Sequence, residues 1–297
     1  MKDFIITTDT TSDLPVEYLK TNNVNLMPLY YSFDGTVYGD KNDLEPHEFY
    51  GRMRGGEMPT TMAVNPDLAR ALFTKYLDEG YDILHIAFSS GLSGSCSVAA
   101  TAAREMCEER PGAKIIVVDS LCASLGEGLL VHKAVKLKES GKSIDEIAGW
   151  LENNKLHLCH IFTVDDLHHL HRGGRVSRAT AIIGTLINVK PVLHVDNEGH
   201  LVPLENVRGR KKSLIGLVDN MEKRVKGFEN DIIFISHGDC LEDAQYVASL
   251  VKERFGIDSF LINYVSPTIG AHSGLLLERI VPQNVPLIRI LKKSKKR

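Results

Sequence analysis

The sequence lacks the features that mark secreted, membrane-spanning and nucleic-acid-binding proteins. Its five cysteines are scattered with no Cys-x-x-Cys pair, so reduced thiols are expected instead of a disulfide framework. Every apolar run is shorter than the roughly 18 residues that a membrane span needs, and the opening MKDFIITTDTT does not resemble a signal peptide. The net charge of -3 gives no global reason to expect nucleic-acid binding. We therefore expect a soluble, cytoplasmic protein.

The order of predicted strands and helices divides the 297 residues into two parts. Strands alternate with helices up to about residue 156, which is typical of a parallel sheet with helices on both faces. Later residues include two strands around the turn Asn197-Glu198-Gly199, which indicates a mixed sheet. We predict an α/β domain over residues 1–156 and an α+β domain over residues 157–297.

A β-hairpin at about residues 26–40 is predicted as an insertion in the α/β domain. Asp34-Gly35 supplies the positive φ angles that a tight two-residue turn needs, between two β-prone arms. The following segment RMRGGEMPTTMAVNP is predicted to be a polar loop that ends at Asn65, the N-cap of a helix.

The clearest candidate site is the turn SSGLSGS (Ser89–Ser95), which joins a buried strand to a helix of small residues. Free N–H groups at a helix start and serine hydroxyls can bind an anionic head group, although an ordinary N-cap turn has the same pattern. The turn also resembles the Gly-x-Ser-x-Gly elbow of α/β-hydrolases, with Ser95 in place of the last glycine. A serine hydrolase that uses Ser93, Asp239 and His272 is therefore an alternative.

Other polar residues fit the same chemistry. Thr60 and Thr61 precede a helix, and their hydroxyls can hydrogen-bond a carboxylate without a strong charge. His272 lies in SPTIGAHSG, either as a core residue or as a donor that faces an anion. Arg172 and Arg175 flank two glycines, which we interpret as a helix end with cations that suit its dipole.

Neither a metal nor a cofactor is expected. Five of the 12 histidines lie between residues 157 and 171, but their spacing matches no standard zinc site. The basic segment 208–226 and the C-terminal KKSKKR fit either a solvated surface or a docking surface for an acidic partner or an anionic membrane.

A series of segments along nearly the whole chain carries a family resemblance. They are TTDTTSDLP (7–15), PTTMAVNP (59–66), SSGLSGS (89–95), DSLCASLGEG (119–128), DDLHHLHRGGRVS (165–177), NVKPVLHVDNEGHLVPLENVRGRKKS (188–213) and SPTIGAHSG (266–274). In their order and spacing they resemble the DegV family, whose better-known members are the fatty-acid-binding subunits of bacterial fatty-acid kinase.

The resemblance implies a fatty acid in a tunnel between the two domains, with its carboxylate at Thr61, Ser93 and His272. Possible supporting residues are Thr60, Gly94, Ser95, Arg172, Arg208 and Arg210. The chain departs from the family where Met62–Asn65 replace the usual Ser-Gln-Pro-Ser and where Leu275 replaces a proline. The departure at Met62–Asn65 leaves a carrier of another lipid amphiphile as an alternative.

The resemblance also implies a lipid-binding protein without catalytic residues of its own. A separate ATP-dependent kinase subunit would phosphorylate the bound acid, such as palmitate, stearate or oleate, and the acyl phosphate would enter phospholipid synthesis. The sequence contains no Gly-x-x-x-x-Gly-Lys-[Ser/Thr] phosphate loop, which agrees with a separate kinase. Transient contact with a membrane surface is a further expectation, and a nucleic-acid partner is not expected.

Overall fold

A computed structural model describes residues 2–177, 188–225 and 231–274, together with the backbone of residues 276–282. The predictions made for Leu275, for Lys226 and for the basic C-terminus lie outside these residues. Within the described ranges, no helix is both long enough and apolar enough to cross a bilayer.

The first part of the chain forms a four-stranded parallel sheet in the order β2-β1-β6-β7. Its strands are β1 (Phe4–Asp9), β2 (Val24–Met27), β6 (Asp82–Ala87) and β7 (Ile115–Asp119). The accompanying helices are α1 (Val16–Thr21), α3 (Pro66–Asp78), α4 (Ser95–Glu109), α5 (Ser124–Glu139) and α6 (Ile144–Asn154). Both β1 and β6 are buried along their full length, because helices cover both faces of the sheet.

The predicted hairpin forms part of a separate antiparallel sheet in the order β4-β3-β5. Its strands are β3 (Tyr30–Phe33), β4 (Thr36–Tyr38) and β5 (Thr60–Met62), and α2 (Pro46–Arg54) follows β4. The turn residues Asp34 and Gly35 have φ angles of 46° and 83°, as the sequence predicts. The hairpin is shorter than predicted because Leu26 and Met27 belong to the parallel sheet.

The prediction of a polar loop after α2 is wrong at residues 60–62, which form β5. Residues 60–62 form an edge strand whose Thr61 pairs with Tyr31 of β3. Three residues are too few for a recognisable alternation, and their pairing partners lie 28 to 32 positions earlier in the chain. The strand therefore depends on a non-local contact.

The second part of the chain forms a six-stranded mixed sheet in the order β10-β9-β8-β13-β11-β12. Its strands are β8 (Leu158–Val164), β9 (Val189–Val195), β10 (Leu201–Arg208), β11 (Ile233–His237), β12 (Phe260–Tyr264) and β13 (Leu276–Pro282). Its described helices are α7 (Leu167–Arg172), α8 (Arg210–Arg224), α9 (Leu241–Phe255) and α10 (Pro267–Ser273). Only β11 and β12 pair in parallel among these strands, so the predicted fold class is confirmed.

Helix α5 connects the two sheets through one hydrophobic core. Its Leu125, Leu129 and Val131 share a buried cluster with Ile6 of β1 and Phe234 of β11. This core contains residues from both sides of the predicted boundary between residues 156 and 157, so it does not mark a division there. The position of the domain boundary stays a prediction.

Candidate functional site

A cavity of about 450 Å³ lies where the three sheets approach one another. Much of its wall is apolar and comes from Leu29, Phe88, Leu92, Phe162, Leu170, Leu201 and Ile269. Its polar side chains include Thr60, Thr61, Ser93, Arg172, Arg175 and His272. A mostly apolar wall with a few polar groups suits a ligand that has a long apolar body and one polar head.

Thr61 and His272 meet at the wall of this cavity, although 211 residues separate them in the sequence. Thr61 is held on β5 by its pairing with Tyr31, and His272 lies in the last turn of α10. The Thr61 Oγ1 atom is 2.8 Å from the His272 Nε2 atom. Either atom can be the donor, because a neutral imidazole carries its proton on one nitrogen or the other.

Burial, together with the smaller effect of the nearby guanidinium groups of Arg175 and Arg172, lowers the pKa of His272 to about 4. The imidazole is therefore neutral at pH 7. When the Nε2–H of neutral His272 donates to Thr61 Oγ1, the Thr61 hydroxyl can donate to a carboxylate, and the imidazole forms no ion pair with it.

Gly173 lies against the other ring nitrogen of His272. A Cβ atom at position 173 would be only 2.1 Å from His272 Nδ1. The sequence identifies Gly173 only as a helix end. No local pattern indicates that a ring from another helix fills the space that a side chain at position 173 would take. Gly173 thus leaves room for the imidazole next to Thr61.

Ser93 approaches the cavity from the turn before α4. Its Oγ atom is 2.9 Å from Ser95 Oγ and accepts a hydrogen bond from the Ser95 N–H at 3.2 Å. The Ser95 hydroxyl also accepts a hydrogen bond from the Val64 N–H at 3.1 Å. Ser95 therefore connects the Ser93 turn to the segment that follows Thr61.

The Ser93 turn is also fixed by the second sheet. The Ser89 hydroxyl donates a hydrogen bond of 2.9 Å to the carbonyl of Gly199, in the turn between β9 and β10. Gly199 has a φ of 79°, and a Cβ atom there would lie 2.1 Å from Ser89 Oγ. Only glycine fits this position without displacing Ser89.

Apart from Ser95, the predicted supporting residues separate into two groups. Thr60, Gly94 and Arg172 line the cavity, and the Thr60 hydroxyl is 2.9 Å from Ser32 Oγ. Arg208 is exposed, Arg210 pairs with Asp243 at 2.8 Å, and neither is among the described cavity-lining residues.

Arg175 lines the cavity, although the sequence pattern indicates only a helix end there. Its Nε atom donates to the Leu92 carbonyl at 3.0 Å, and another of its N–H groups donates to the Gly173 carbonyl. It thereby brings a positive charge close to the Ser93 turn and to His272.

The residues of the alternative hydrolase do not assemble as a triad. Asp239 pairs with His47 at 3.0 Å and with Arg54 at 2.6 Å, whereas His272 bonds Thr61 and Ser93 bonds Ser95. A serine hydrolase needs its acid to orient the histidine, and here other partners occupy Asp239. Among residues 2–177, 188–225 and 231–274, no group of three His, Cys, Asp or Glu could hold a metal ion.

The model of the family described as "Uncharacterised protein, DegV family" matches residues 3–276. A DegV domain-containing protein of Clostridium perfringens is 44% identical over 277 residues, which cover 93% of this chain and 95% of that protein. Another, from Lactococcus lactis, is 35% identical over 274 residues, covering 91% and 94%.

Solved structures show the same fold. DegV of Bacillus subtilis, described as a fatty acid binding protein, is 30% identical with a TM-score of 0.83, covering 96% of this chain and 100% of that chain. A stearic-acid-binding protein from Eubacterium ventriosum is 25% identical with a TM-score of 0.86, covering 94% and 98%. The family match over residues 3–276 and the 44% identity to the clostridial protein place this chain in the DegV family.

Proposed function

We propose that this chain binds a long-chain fatty acid in the 450 Å³ cavity, with the carboxylate at Thr61, Ser93 and His272. The observation that carries the proposal is the 2.8 Å contact between Thr61 and His272 in the wall of a mostly apolar cavity. DegV of Bacillus subtilis and the structurally similar protein of Eubacterium ventriosum, which are described as binding a fatty acid and stearic acid, support the same ligand class.

The acyl chain and the carboxylate of the ligand contribute to binding in different ways. Burial of each CH₂ group contributes about 0.8 kcal/mol, so the acyl chain supplies most of the affinity. The carboxylate must then be hydrogen-bonded, because an unpaired buried charge is costly. Two hydroxyls and a neutral imidazole meet this need, and Arg175 adds a favourable charge beside them.

The proposal extends to presentation of the bound acid to a separate kinase subunit, which would form an acyl phosphate. The family resemblance supports this step. In this scheme the chain uses no cofactor of its own, because the partner binds ATP.

Extraction of the purified protein with organic solvent, followed by mass spectrometry, tests the ligand. We expect about one long-chain fatty acid per chain. Recovery of another amphiphile would favour the alternative carrier. An empty cavity that also fails to take up added oleate or palmitate would contradict the proposal.

The kinase step needs its own experiment. Protein loaded with oleate is mixed with ATP and a fatty-acid kinase subunit, and acyl phosphate is trapped with hydroxylamine. A hydroxamate that requires both proteins would support presentation. Its absence with fully loaded protein would contradict presentation and leave fatty-acid binding intact.

We expect Ser93→Ala to weaken oleate binding by about 5- to 150-fold, which corresponds to a hydrogen bond of about 1–3 kcal/mol lost from a buried carboxylate. Isothermal titration calorimetry measures the affinity, and thermal unfolding checks the fold. Ser97→Ala is the matched control, because Ser97 is exposed in the first turn of α4, four residues after Ser93. Equal affinities for the two variants would place the carboxylate away from Ser93.

A further inference from the structure

Asp13 is a buried carboxyl group that is not among the described cavity-lining residues. It follows β1 and has a left-handed φ of 53°. Its Oδ1 atom accepts a hydrogen bond of 2.9 Å from the Ser266 N–H, and its Oδ2 atom accepts one from the Ser124 hydroxyl. Its backbone carbonyl accepts a further bond of 2.8 Å from the Asn263 side chain.

These partners belong to the elements that build the carboxylate site. Ser266 is the N-cap residue of α10, the helix that carries His272. Ser124 begins α5 and lines the cavity. The residue before Ser266 is held as well, because the Tyr50 hydroxyl donates to the carbonyl of Val265 at 3.0 Å.

Because α10 is short, its N-cap residue Ser266 lies close to His272 in its last turn. Ser266 and His272 are six positions apart, so a span of about 9 Å of helix connects the Asp13 contact to the imidazole. A helix this short moves as a unit. A displacement of its start would therefore change the 2.8 Å contact between His272 and Thr61.

We propose that Asp13 is a positioning residue that acts through Ser266 and α10 to hold His272 next to Thr61. This inference rests on the proposed fatty-acid function. A left-handed backbone at a buried acid is a costly local conformation, and such conformations persist where the surrounding structure fixes them. Burial raises the pKa of Asp13 to about 7, although hydrogen bonds from Ser124 and Ser266 oppose that shift.

A purely structural role would alter stability and leave the imidazole in place, so the test observes His272 directly. The imidazole nitrogen signals of ligand-free protein are recorded by NMR and assigned with His272→Gln. Asp13→Ala is expected to shift the His272 signals and to weaken oleate binding by about tenfold. Asp13→Asn keeps an oxygen for the Ser266 N–H and is expected to restore both to near the wild-type values.

A second pair of variants tests the same link from the opposite side. Ser266 has a φ of -60°, which proline can adopt, so Ser266→Pro removes the N–H donor and places its ring Cδ atom against Asp13 Oδ1. Ser266→Ala keeps that donor and is the matched control. We expect the proline variant to reproduce the His272 shift of Asp13→Ala and the alanine variant to resemble the wild type.

The proposal would be overturned if Ser266→Pro left both the His272 signals and the oleate affinity unchanged. The same result is required of Asp13→Ala if that variant folds. Failure of the wild type to bind any fatty acid would contradict the proposed function instead. In that case the His272 signals of the ligand-free variants still decide the role of Asp13.

Discussion

Gly199→Ala is expected to destabilise the protein by about 2–5 kcal/mol, the sum of a left-handed backbone cost for an L-residue and a steric cost in a packed interior. The new Cβ atom would lie 2.1 Å from Ser89 Oγ and 3.2 Å from the backbone Cα of Leu121. Ser89 is fully buried, so its hydroxyl has little room to move. Chemical denaturation measures the change in the free energy of unfolding.

A control variant, Gly141→Ala, separates the backbone cost from the steric cost. Gly141 has a φ of 83°, close to that of Gly199, but no atom lies within 4 Å of its ideal Cβ position. Gly141→Ala should therefore destabilise only by the backbone cost of about 1–2 kcal/mol. A Gly199→Ala variant that is no less stable than Gly141→Ala would contradict the contact with Ser89.

A double-mutant cycle tests whether the steric cost involves the hydroxyl. Ser89→Ala removes the atom nearest to the new Cβ, so the double variant should be more stable than the sum of the two single changes predicts. We also expect Gly199→Ala to weaken oleate binding, because Ser89 begins the turn that carries Ser93. Additive effects on stability would place the clash elsewhere.

Local chemistry explains why much of the fold could be predicted from the sequence. The Asp34-Gly35 turn depends only on its own φ angles, and the Asn65 side chain accepts a hydrogen bond from the Asp67 N–H two residues later at 2.8 Å. Strands β1 and β6 contain short apolar runs, such as Phe4–Ile6 in β1, and are buried along their full length. These features need no knowledge of the rest of the chain.

The contacts that assemble the candidate site are non-local and could not be predicted in the same way. Ser89 meets Gly199 across 110 positions, and Thr61 meets His272 across 211. Family resemblance named Thr61, Ser93 and His272, but it did not indicate the packing of Gly173 on the imidazole. A glycine that makes room for a distant side chain has the same sequence pattern as a glycine that ends a helix.

Gly173→Ala is expected to weaken oleate binding by about 5- to 150-fold, the equivalent of one lost hydrogen bond to a buried carboxylate. Gly173 has a φ of -71°, so alanine adds no backbone cost there. Its Cβ atom would lie 2.1 Å from Nδ1 and 3.0 Å from Cγ of His272. The imidazole must move, and its 2.8 Å contact with Thr61 is then lost.

Two controls assign this effect to the imidazole. Gly149 lies within α6 with no atom within 4 Å of its ideal Cβ position, so Gly149→Ala should leave oleate affinity unchanged. In a His272→Ala background the clash has no ring to displace, and Gly173→Ala should then cause no further loss of affinity. A further loss in that background would mean that Gly173 supports the cavity by a route other than His272. Calorimetric titration of the four proteins with oleate distinguishes these results, because only displacement of His272 makes the two substitutions non-additive.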